Sequence, residues 1–363
     1  MSYGPGDAVD LARVRRALVV KLRHYGDVLL ATPVIAVLKN HAPHAQVDAL
    51  VYADTADMVS LHPALERLHV VDRHWKSLAL PARAAAEWRL LHALRERSYD
   101  LLVHLSEHPR GAWLARVLGC RHAVAPDHPG KAGYWRRSFT HLYRLPAHGG
   151  RHRVELDLDA LRRIGIQPFC DERSVVLVPG TEADARITEL LAANGLSDRG
   201  FIHLHPASRW QFKCWTPEGM AALIDRLHEV GERIVLSAAP EQREIALVEA
   251  IRTRTRAPVV DLTGKLTLKM LGALSTRAKL FVGVDSAPMH IAAASGTPVV
   301  ALFGPSGETE WSPWKVKHRI VASAEHRCRP CGNDGCGGGK VSECLTTIPV
   351  EQVLDAVNEL LPR

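Results

Sequence analysis

The segment that decides the fold is VGVDSAPMHIAAASGTPVVALFGP, which spans residues 282–305. It begins with a short apolar run that is typical of a buried strand, and Pro288 then suits the first turn of a helix. Alanines and a glycine allow this helix to lie close to a sheet before a second apolar run begins at residue 299. A strand, a helix and a second strand in this order predict a parallel sheet wrapped by helices.

The same alternation continues along most of the chain. Strands are predicted at residues 17–22, 47–51, 68–71, 99–105, 201–204, 233–237, 259–262, 280–284 and 299–303, and helices at 28–38, 80–97, 217–230, 241–253, 268–276, 288–295 and 349–361. The pattern thins between residues 165 and 200, where prolines and glycines occur, and then restarts. We therefore predict an α/β chain of two Rossmann-like, doubly wound domains, residues 1–170 and 171–348, with a central cleft and a closing helix at 349–363.

The composition, with 47% hydrophobic and 23% charged residues, is that of an ordinary globular protein. No apolar run is long enough to cross a bilayer, and no signal-peptide stretch follows the charges near the N-terminus. We expect the chain to stay in the cytoplasm, where structural disulfides are disfavoured.

Positive charge is concentrated in a basic window, residues 110–153. The net charge is +7, and this window holds nine arginines and lysines, five histidines and a single acid, Asp127. Such a surface attracts the phosphates of a nucleotide, a nucleic acid or an anionic membrane, although a merely solvated basic face has the same composition. Aromatic residues occur in the window, but no nucleic-acid module accompanies them, so nucleic acid ranks last.

Two common phosphate motifs are missing from the chain. No GxGxxG follows the first predicted strand, and no GxxxxGK[ST] occurs. Their absence argues against a dehydrogenase or a P-loop enzyme. Residues suited to chemistry instead follow three of the predicted strands.

The first of these groups is KLRHYGD, residues 21–27, where a predicted strand ends and a helix begins. Aspartate is a favoured N-cap residue, so Asp27 has a structural interpretation. A carboxylate at the carboxyl end of a strand can also accept a proton from a sugar hydroxyl. The spacing alone favours the cap.

The second group is HLHPASRWQFKCW, residues 203–215. Ser208 can donate to a phosphate, and Lys213 offers a fixed positive charge. A leaving diphosphate gains negative charge in the transition state, so a cation at this place would lower the barrier. The alternative is that Lys213 is an ordinary surface lysine.

The third group lies within the fold-deciding segment and begins at Asp285. The amides of Ser286, Ala287 and Met289 would point to one spot at the start of the predicted helix, which makes an anion site suited to a pyrophosphate. His290, on the same turn, could add a donor. A histidine that only packs is the commoner case.

Two motifs raise the question of a metal ion. Asp157 and Asp159 form a DxD pattern, but their helical spacing makes the two acids diverge, so metal binding is disfavoured. Soft thiolates late in the chain could hold Zn or Fe, or could form a reduced, unligated loop, since their second pair lacks CxxC spacing. These cysteines are Cys328, Cys331, Cys336 and Cys344.

The three groups together resemble the heptosyltransferase family of lipopolysaccharide assembly, glycosyltransferase family 9. Residues 285–305 fit the pattern DSxxxHxAAxxxxPxxxxFGP, KLRHYGDVLLATPVI is similar to the family's N-terminal motif, and HPASRWQFKCW is similar to its middle motif. The motifs fall in the family's order and cover nearly the whole chain. With the late cysteines, they are most similar to the third core heptosyltransferase subtype.

The resemblance implies a GT-B fold and transfer of L-glycero-D-manno-heptose from ADP-heptose to a heptose of the lipopolysaccharide inner core. It implies inversion at the anomeric carbon and no cofactor required for catalysis, which leaves only a structural Zn or Fe at the late cysteines. The N-terminal domain would bind the acceptor and the C-terminal domain the nucleotide sugar. The enzyme would act at the cytoplasmic face of the inner membrane, in peripheral contact with it, without a nucleic-acid partner.

The resemblance also implies residue roles, with Asp27 as the base and Lys213 as the cation at the leaving phosphates. The donor site would contain Ser208, Glu241, Thr263, Gly264, Leu268, Asp285, Ser286, Ala287, Met289 and His290. The acceptor site would draw on Arg23, Arg110, Arg136 and Arg137. Two alternatives stay open: a related GT-B enzyme with another nucleotide sugar or a protein acceptor, and a non-catalytic nucleotide-sugar-binding protein.

Overall fold

The computed structural model describes residues 6–128, 130, 133–146 and 150–361. Contacts divide the chain into two compact units, Met1–Val176 (unit 1) and Leu177–Arg363 (unit 2). The two ends of the chain that were included in the predicted domains, residues 1–5 and 362–363, lie outside the described residues, as does Lys131 of the basic window.

Unit 1 contains a six-stranded parallel sheet with the order β3-β2-β1-β4-β5-β6. Its strands are β1 (Arg16–Lys21), β2 (Gln46–Tyr52), β3 (Arg67–Val71), β4 (Leu101–His104), β5 (His122–Asp127) and β6 (His141–Arg144). Its helices are α1 (Tyr25–Leu30), α2 (Thr32–His41), α3 (Leu80–Glu96), α4 (Pro109–Leu118) and α5 (Arg153–Arg163), with short 3-10 helices at Leu11–Arg13, Ala53–Met58, Arg73–Ser77, Arg136–Ser138 and Asp171–Arg173.

Unit 2 repeats this design with the strand order β12-β11-β10-β7-β8-β9, again all parallel. Its strands are β7 (Ile202–His205), β8 (Ile234–Leu236), β9 (Val259–Asp261), β10 (Leu280–Val284), β11 (Val299–Phe303) and β12 (His318–Ala322). Its helices are α6 (Thr181–Ala193), α7 (Pro217–Glu229), α8 (Gln242–Arg252), α9 (Leu268–Arg277), α10 (Ala287–Ala294), α11 (Glu308–Trp311), α12 (Glu343–Thr346) and α13 (Val350–Leu360), with 3-10 helices at Gln211–Lys213 and Cys336–Gly338.

Both sheets have the strand order of a Rossmann fold. The first strand of each unit pairs with the second strand on one side and with the fourth strand on the other. The order therefore reverses between β1 and β4 in unit 1, and between β7 and β10 in unit 2. In such sheets, ligands bind at the carboxyl ends of the strands beside the reversal. The predicted class, two Rossmann-like doubly wound units, is confirmed.

The central strands of both sheets are buried on both faces, as expected for parallel strands under helices. Every residue of β10 and β11 is buried. The small side chains Ala292 and Ala293 let α10 lie against Phe281 and Phe303 in one apolar cluster. In the described part of the chain, no helix combines the length and the apolar character needed to cross a membrane.

The structure differs from the predicted elements in three respects. The helices α4, α6, α11 and α12 are absent from the prediction, and α6 falls in the stretch where the apolar pattern thins. The single helix predicted at residues 28–38 is divided into α1 and α2, because Pro33 at the start of α2 has no amide hydrogen to continue the first helix. The strands β5, β6 and β12 are absent from the prediction. They carry charged residues, histidine or proline and are only partly buried, so their apolar pattern is weak.

Two histidines of β7 are buried in unit 2 and share one serine. His203 Nε2 lies 2.6 Å from Ser237 Oγ, and His205 Nδ1 lies 2.9 Å from the same oxygen. Burial lowers the pKa of each histidine to about 3. The folded chain therefore keeps both rings neutral at pH values where an unfolded histidine is charged.

Acidification should destabilise unit 2 through these histidines. Between the usual histidine pKa of 6.5 and about 3, the unfolded state binds more protons than the folded state, so stability falls as the pH falls. Each histidine contributes about 1.4 kcal/mol per pH unit in this window. We expect the melting temperature to drop from pH 7 to pH 5 and expect His205→Gln to reduce that drop. The exposed His44 provides the control, and His44→Gln should retain the full drop. An unchanged pH dependence in His205→Gln would contradict the assignment.

Candidate functional site

The predicted donor residues all follow the carboxyl ends of strands in unit 2. Ser208 and Lys213 follow β7, Glu241 follows β8, Thr263, Gly264 and Leu268 follow β9, and Asp285, Ser286, Ala287, Met289 and His290 follow β10. Because β7 and β10 are the strands at which the order reverses, the loops after them meet at the binding edge. Residues that are far apart in the sequence are thus brought to one edge of the sheet.

An ion pair joins two of these loops. Lys213 Nζ lies 2.6 Å from Asp285 Oδ2, with side chains that are 23% and 6% exposed. The short 3-10 helix that ends at Lys213 is anchored by the buried Ser342, whose Oγ donates to the Phe212 carbonyl over 2.7 Å. Lys213 is therefore a fixed, partly buried cation and not an ordinary surface lysine.

The start of α10 forms part of the same edge. Ser286 is the N-cap residue, but its side chain donates to the Val284 carbonyl and does not cap the helix. The Met289 amide already donates to the Ser286 carbonyl over 3.1 Å, and the Met289 side chain is fully buried. The predicted convergence of three amides is thus wrong for Met289. The amides of Ser286 and Ala287 have no protein acceptor within the described residues and stay available to an anion.

Other predicted donor residues differ in their burial and in the contacts that they already make within the protein. His290 is 3% exposed and its ring centre lies 6.3 Å from that of Trp311, so it packs in the unit. Ser208 is buried, and its Oγ accepts from the Trp210 amide over 3.3 Å. Leu268, half-buried, is the first residue of α9.

The loops after β8 and β9 are tied to each other by backbone. The Gly264 amide donates to the Ala238 carbonyl over 2.9 Å, and Gly264 has a φ of +69°, a conformation that favours glycine. Beside it, Thr263 Oγ1 is buried and finds no partner among the described residues. Glu241 is exposed at the N-cap of α8 without capping it. A buried hydroxyl and a free carboxylate therefore remain at this part of the edge.

In unit 1, Asp27 lies in the first turn of α1 at the carboxyl end of β1. The N-cap residue of α1 is His24, so the interpretation of Asp27 as an N-cap is wrong. The Asp27 side chain is 12% exposed, and its Oδ1 lies 3.6 Å from Nε of Arg23, which is 55% exposed. The carboxylate is therefore close to the surface and is not used to cap the helix.

A buried charge cluster lies next to Asp27 and was missed in the sequence. Lys21 Nζ donates to both carboxylate oxygens of Asp157, over 2.9 and 2.8 Å, and to the Leu105 carbonyl over 3.1 Å. Arg153 Nη2 donates to Asp157 Oδ1 over 2.8 Å. Burial and the positive charge of Arg153 lower the pKa of Lys21 to about 8, while the negative charges of Asp157 and Asp27 act in the opposite direction. Asp27 thus adds a second negative charge beside a buried group that consists of two cations, Lys21 and Arg153, and one anion, Asp157.

The second acid of the DxD pattern is also occupied by cations. Asp159 binds Arg151 and Arg162, each over 2.7 Å. Both acids of the pattern therefore belong to ion pairs of α5. A lysine that ends the apolar run ALVVK, together with an aspartate among apolar residues of a helix, was the sequence signal for this cluster.

The basic window carries less free charge than its composition indicates. Arg110 forms two bonds of 2.6 Å to Glu87, and Arg136 forms bonds of 2.9 and 3.1 Å to Asp127. Two other arginines of the window, Arg151 and Arg153, are paired with acids that lie outside it. The exposed arginines of the window with no partner among the described residues are Arg121, Arg137 and Arg144. Of the predicted acceptor residues, Arg23 and Arg137 are therefore the more available.

The late cysteines lie in a loop of unit 2. Cys328, Cys331 and Cys336 are exposed, whereas Cys344 is buried at the start of α12. Within the described residues, no three side chains of His, Cys, Asp or Glu are grouped so as to hold a metal ion. A structural Zn or Fe at these cysteines stays a prediction.

Two Rossmann-like units, each with its candidate residues at the carboxyl ends of the strands, are the architecture of the GT-B class. Residues 87–341 match the family model described as glycosyltransferase family 9 (heptosyltransferase). The chain is 34% identical, over 94% of its length and 98% of the relative's, to lipopolysaccharide heptosyltransferase 3 of Escherichia coli. The chain belongs to glycosyltransferase family 9, the heptosyltransferases.

Solved structures share the whole fold. A family 9 glycosyltransferase from Veillonella parvula superimposes with a TM-score of 0.83 at 23% identity, over 98% of this chain and 99% of that chain. The E. coli ADP-heptose lipopolysaccharide heptosyltransferase II superimposes with a TM-score of 0.73 at 21% identity, over 95% of this chain and 98% of that chain.

Breaking the buried cluster of unit 1 should cost much more stability than breaking an exposed ion pair. Lys21→Met leaves the buried Asp157 with one cation in place of two, and the loss of one partner of a buried pair costs about 3–5 kcal/mol. Arg13→Met provides the control, because Arg13 and Asp10 form a pair with side chains 69% and 59% exposed. That change should cost less than about 1 kcal/mol. Equal melting temperatures for the two variants would disprove the structural role of the cluster.

Proposed function

We propose that this chain transfers L-glycero-D-manno-heptose from ADP-heptose to a heptose of the lipopolysaccharide inner core, with inversion at the anomeric carbon. The observation that carries the proposal is the match to lipopolysaccharide heptosyltransferase 3, which extends over nearly the full length of both proteins. The geometry of the two strand edges supports the assignment of roles below. In this proposal the enzyme acts at the cytoplasmic face of the inner membrane, where the acceptor is anchored.

The donor is proposed to bind at the edge of unit 2. A diphosphate needs positive charge and hydrogen-bond donors, and this edge offers Lys213 with the amides of Ser286 and Ala287. The Thr263 hydroxyl, which is without a partner in the described part of the chain, and the exposed Glu241 carboxylate suit the hydroxyls and nitrogens of a nucleoside. A solved relative with this fold is named for ADP-heptose, which supports ADP-heptose as the donor.

Asp27 is proposed as the general base. Its carboxylate takes the proton of the acceptor hydroxyl as that oxygen forms a bond to the anomeric carbon of the heptose. The bond between the anomeric carbon and the phosphate oxygen breaks on the opposite face, and ADP leaves with both electrons of that bond. The base belongs to unit 1 and the leaving-group contacts to unit 2, so the reaction requires both units.

The pair of Lys213 and Asp285 gives each residue a role in this scheme. Lys213 is held by a single carboxylate and remains 23% exposed, so a phosphate oxygen can share its ammonium group. Asp285 then keeps a lone pair for a hydroxyl of the donor sugar. A cation that is already in position needs little reorganisation when negative charge develops on the leaving group.

Asp27→Asn should remove the acceptor-dependent reaction. General-base catalysis contributes about 10²–10⁴-fold, so the rate of ADP release from ADP-heptose, with an acceptor that carries two heptoses, should fall by that factor. The amide keeps the shape of the side chain, and donor binding should persist. Asp198→Asn changes an exposed carboxylate of unit 2 and should leave the rate unchanged. Wild-type rates in Asp27→Asn would refute the base, and preferential use of another nucleotide sugar or a protein acceptor would replace the heptose assignment.

Lys213, and not a metal ion, should stabilise the negative charge that develops on the leaving ADP. Lys213→Met should lower kcat about 10²–10³-fold, the cost of losing one stabilising contact in the transition state. Lys213→Arg, which keeps the charge, should recover part of the rate. Wild-type enzyme treated with EDTA should keep its initial rate. A rate abolished by EDTA and restored by a divalent cation would overturn this mechanism, whereas a lower melting temperature alone would point to a structural metal at the late cysteines.

A further inference from the structure

The beginning of α3 carries large apolar side chains on the surface of unit 1. Leu80 is 79% exposed and Trp88 is 64% exposed, while Leu78, just before the helix, is 43% exposed. The residues between Leu80 and Ala86 are exposed as well. Large apolar side chains that are grouped on a surface mark interaction sites.

These side chains lie on a face of α3 that the fold leaves uncovered. Ala86, Leu90 and Leu94 are buried and repeat every four residues along the packed side of the helix. Positions 80, 84 and 88 form a second row with the same spacing, and all three are exposed. The helix is therefore apolar on two sides, of which unit 1 covers one.

Positive charge surrounds the exposed row. Residues 73–86 contain no acid, and the carboxylate of Glu87 is bound by two nitrogens of Arg110 over 2.6 Å. The exposed basic side chains around the row are Lys76, Arg83 and Arg89. Within the described residues, none of them forms a direct ion pair, and the bonds from Arg110, aided by the charge of Arg83, lower the pKa of the Glu87 carboxyl. The surface thus combines apolar anchors with exposed cations.

Contacts within unit 1 connect this surface to the candidate base. The 3-10 helix Arg73–Ser77 leads into α3, and Arg73 Nη2 donates to the Arg23 carbonyl over 3.1 Å. The Arg23 side chain in turn lies 3.6 Å from the Asp27 carboxylate. The exposed end of α3 and Asp27 therefore belong to the same end of the sheet.

An anionic lipid surface fits these features better than a second copy of this chain. Leucine and tryptophan insert into the headgroup region, and arginine and lysine bind lipid phosphates. A symmetric contact between two copies would bring the same arginines together, and like charges oppose such a contact.

We propose that the α3 face, formed by Leu78, Leu80 and Trp88 with their basic neighbours, binds the surface of an anionic bilayer. Binding there would bring the Asp27 edge of unit 1 to the level of a lipid-anchored acceptor. The acceptor part of this inference rests on the proposed function, whereas the binding of vesicles does not.

The first experiment measures co-sedimentation with vesicles in the absence of donor and acceptor. Wild-type protein should sediment with vesicles of phosphatidylglycerol and phosphatidylethanolamine, less with phosphatidylcholine, and less at high salt. Changing both Leu80→Glu and Trp88→Glu should weaken binding about tenfold or more, since the anchors are lost and negative charge is added. Val230→Glu, at a valine of unit 2 that is 72% exposed, is the matched control and should bind like the wild type.

Three outcomes of this experiment would overturn the proposal. They are a wild type that ignores anionic vesicles, a double variant that binds them equally well, and a double variant that loses self-association with unchanged vesicle binding. The last result would assign the face to a second copy of the chain. Because all substituted side chains are exposed, equal melting temperatures should show that the variants are folded.

The second experiment separates this inference from the proposed function. The double variant should retain kcat/KM with a deacylated acceptor in solution and lose it with the same acceptor embedded in vesicles. Equal losses with both acceptors would contradict a role in membrane binding. Vesicle binding by a wild type that transfers no heptose to either acceptor would refute the proposed function and leave the α3 face as a membrane contact.

Discussion

The parallel pairing of every strand is the constraint on which the rest of the structure depends. Parallel neighbours must be connected by crossovers, which place helices on both faces of each sheet and all carboxyl ends at one edge. The strands then become almost wholly apolar, and groups with chemical function are confined to the loops at that edge. This constraint explains why Asp27 follows β1, whereas Lys213 and Asp285 follow β7 and β10.

The two lysine–aspartate pairs show how burial separates a structural role from a binding role. Asp157 is fully buried and bound by Lys21 and Arg153, so exchanging a partner for a ligand would leave a charge without compensation in the interior. The Lys213 pair is partly exposed and has one carboxylate, so a phosphate can enter it. The first pair therefore holds the end of β1 in place beside Asp27, and the second remains open to exchange.

Local pattern was sufficient to predict the fold and to place the candidate residues at strand ends, but it did not predict the contacts that they make. The apolar runs and the segment from residue 282 to 305 predicted both doubly wound units, because buried parallel strands leave a strong signal. The same pattern did not reveal that α1 begins before Asp27, that the Met289 amide is already bonded, or that Lys21 meets Asp157. These facts depend on single hydrogen bonds or on contacts between residues more than a hundred positions apart. Local periodicity does not report either of them.

The positions of charged residues in the sequence likewise do not predict which surface of the folded protein carries unpaired positive charge. The basic window holds nine arginines and lysines, yet acids from outside the window form ion pairs with Arg110, Arg151 and Arg153. By contrast, the start of α3 has few charges, but its exposed cations form no direct ion pair within the described residues and lie beside exposed leucine and tryptophan. Coulomb energy depends on the distance between charges and not on their spacing in sequence, so the surface that attracts anions is decided by pairing in the fold. Four of the nine cations in the basic window are thus bound to acids, whereas the exposed cations at the start of α3 form no direct ion pair within the described residues and lie where an anionic surface can use them.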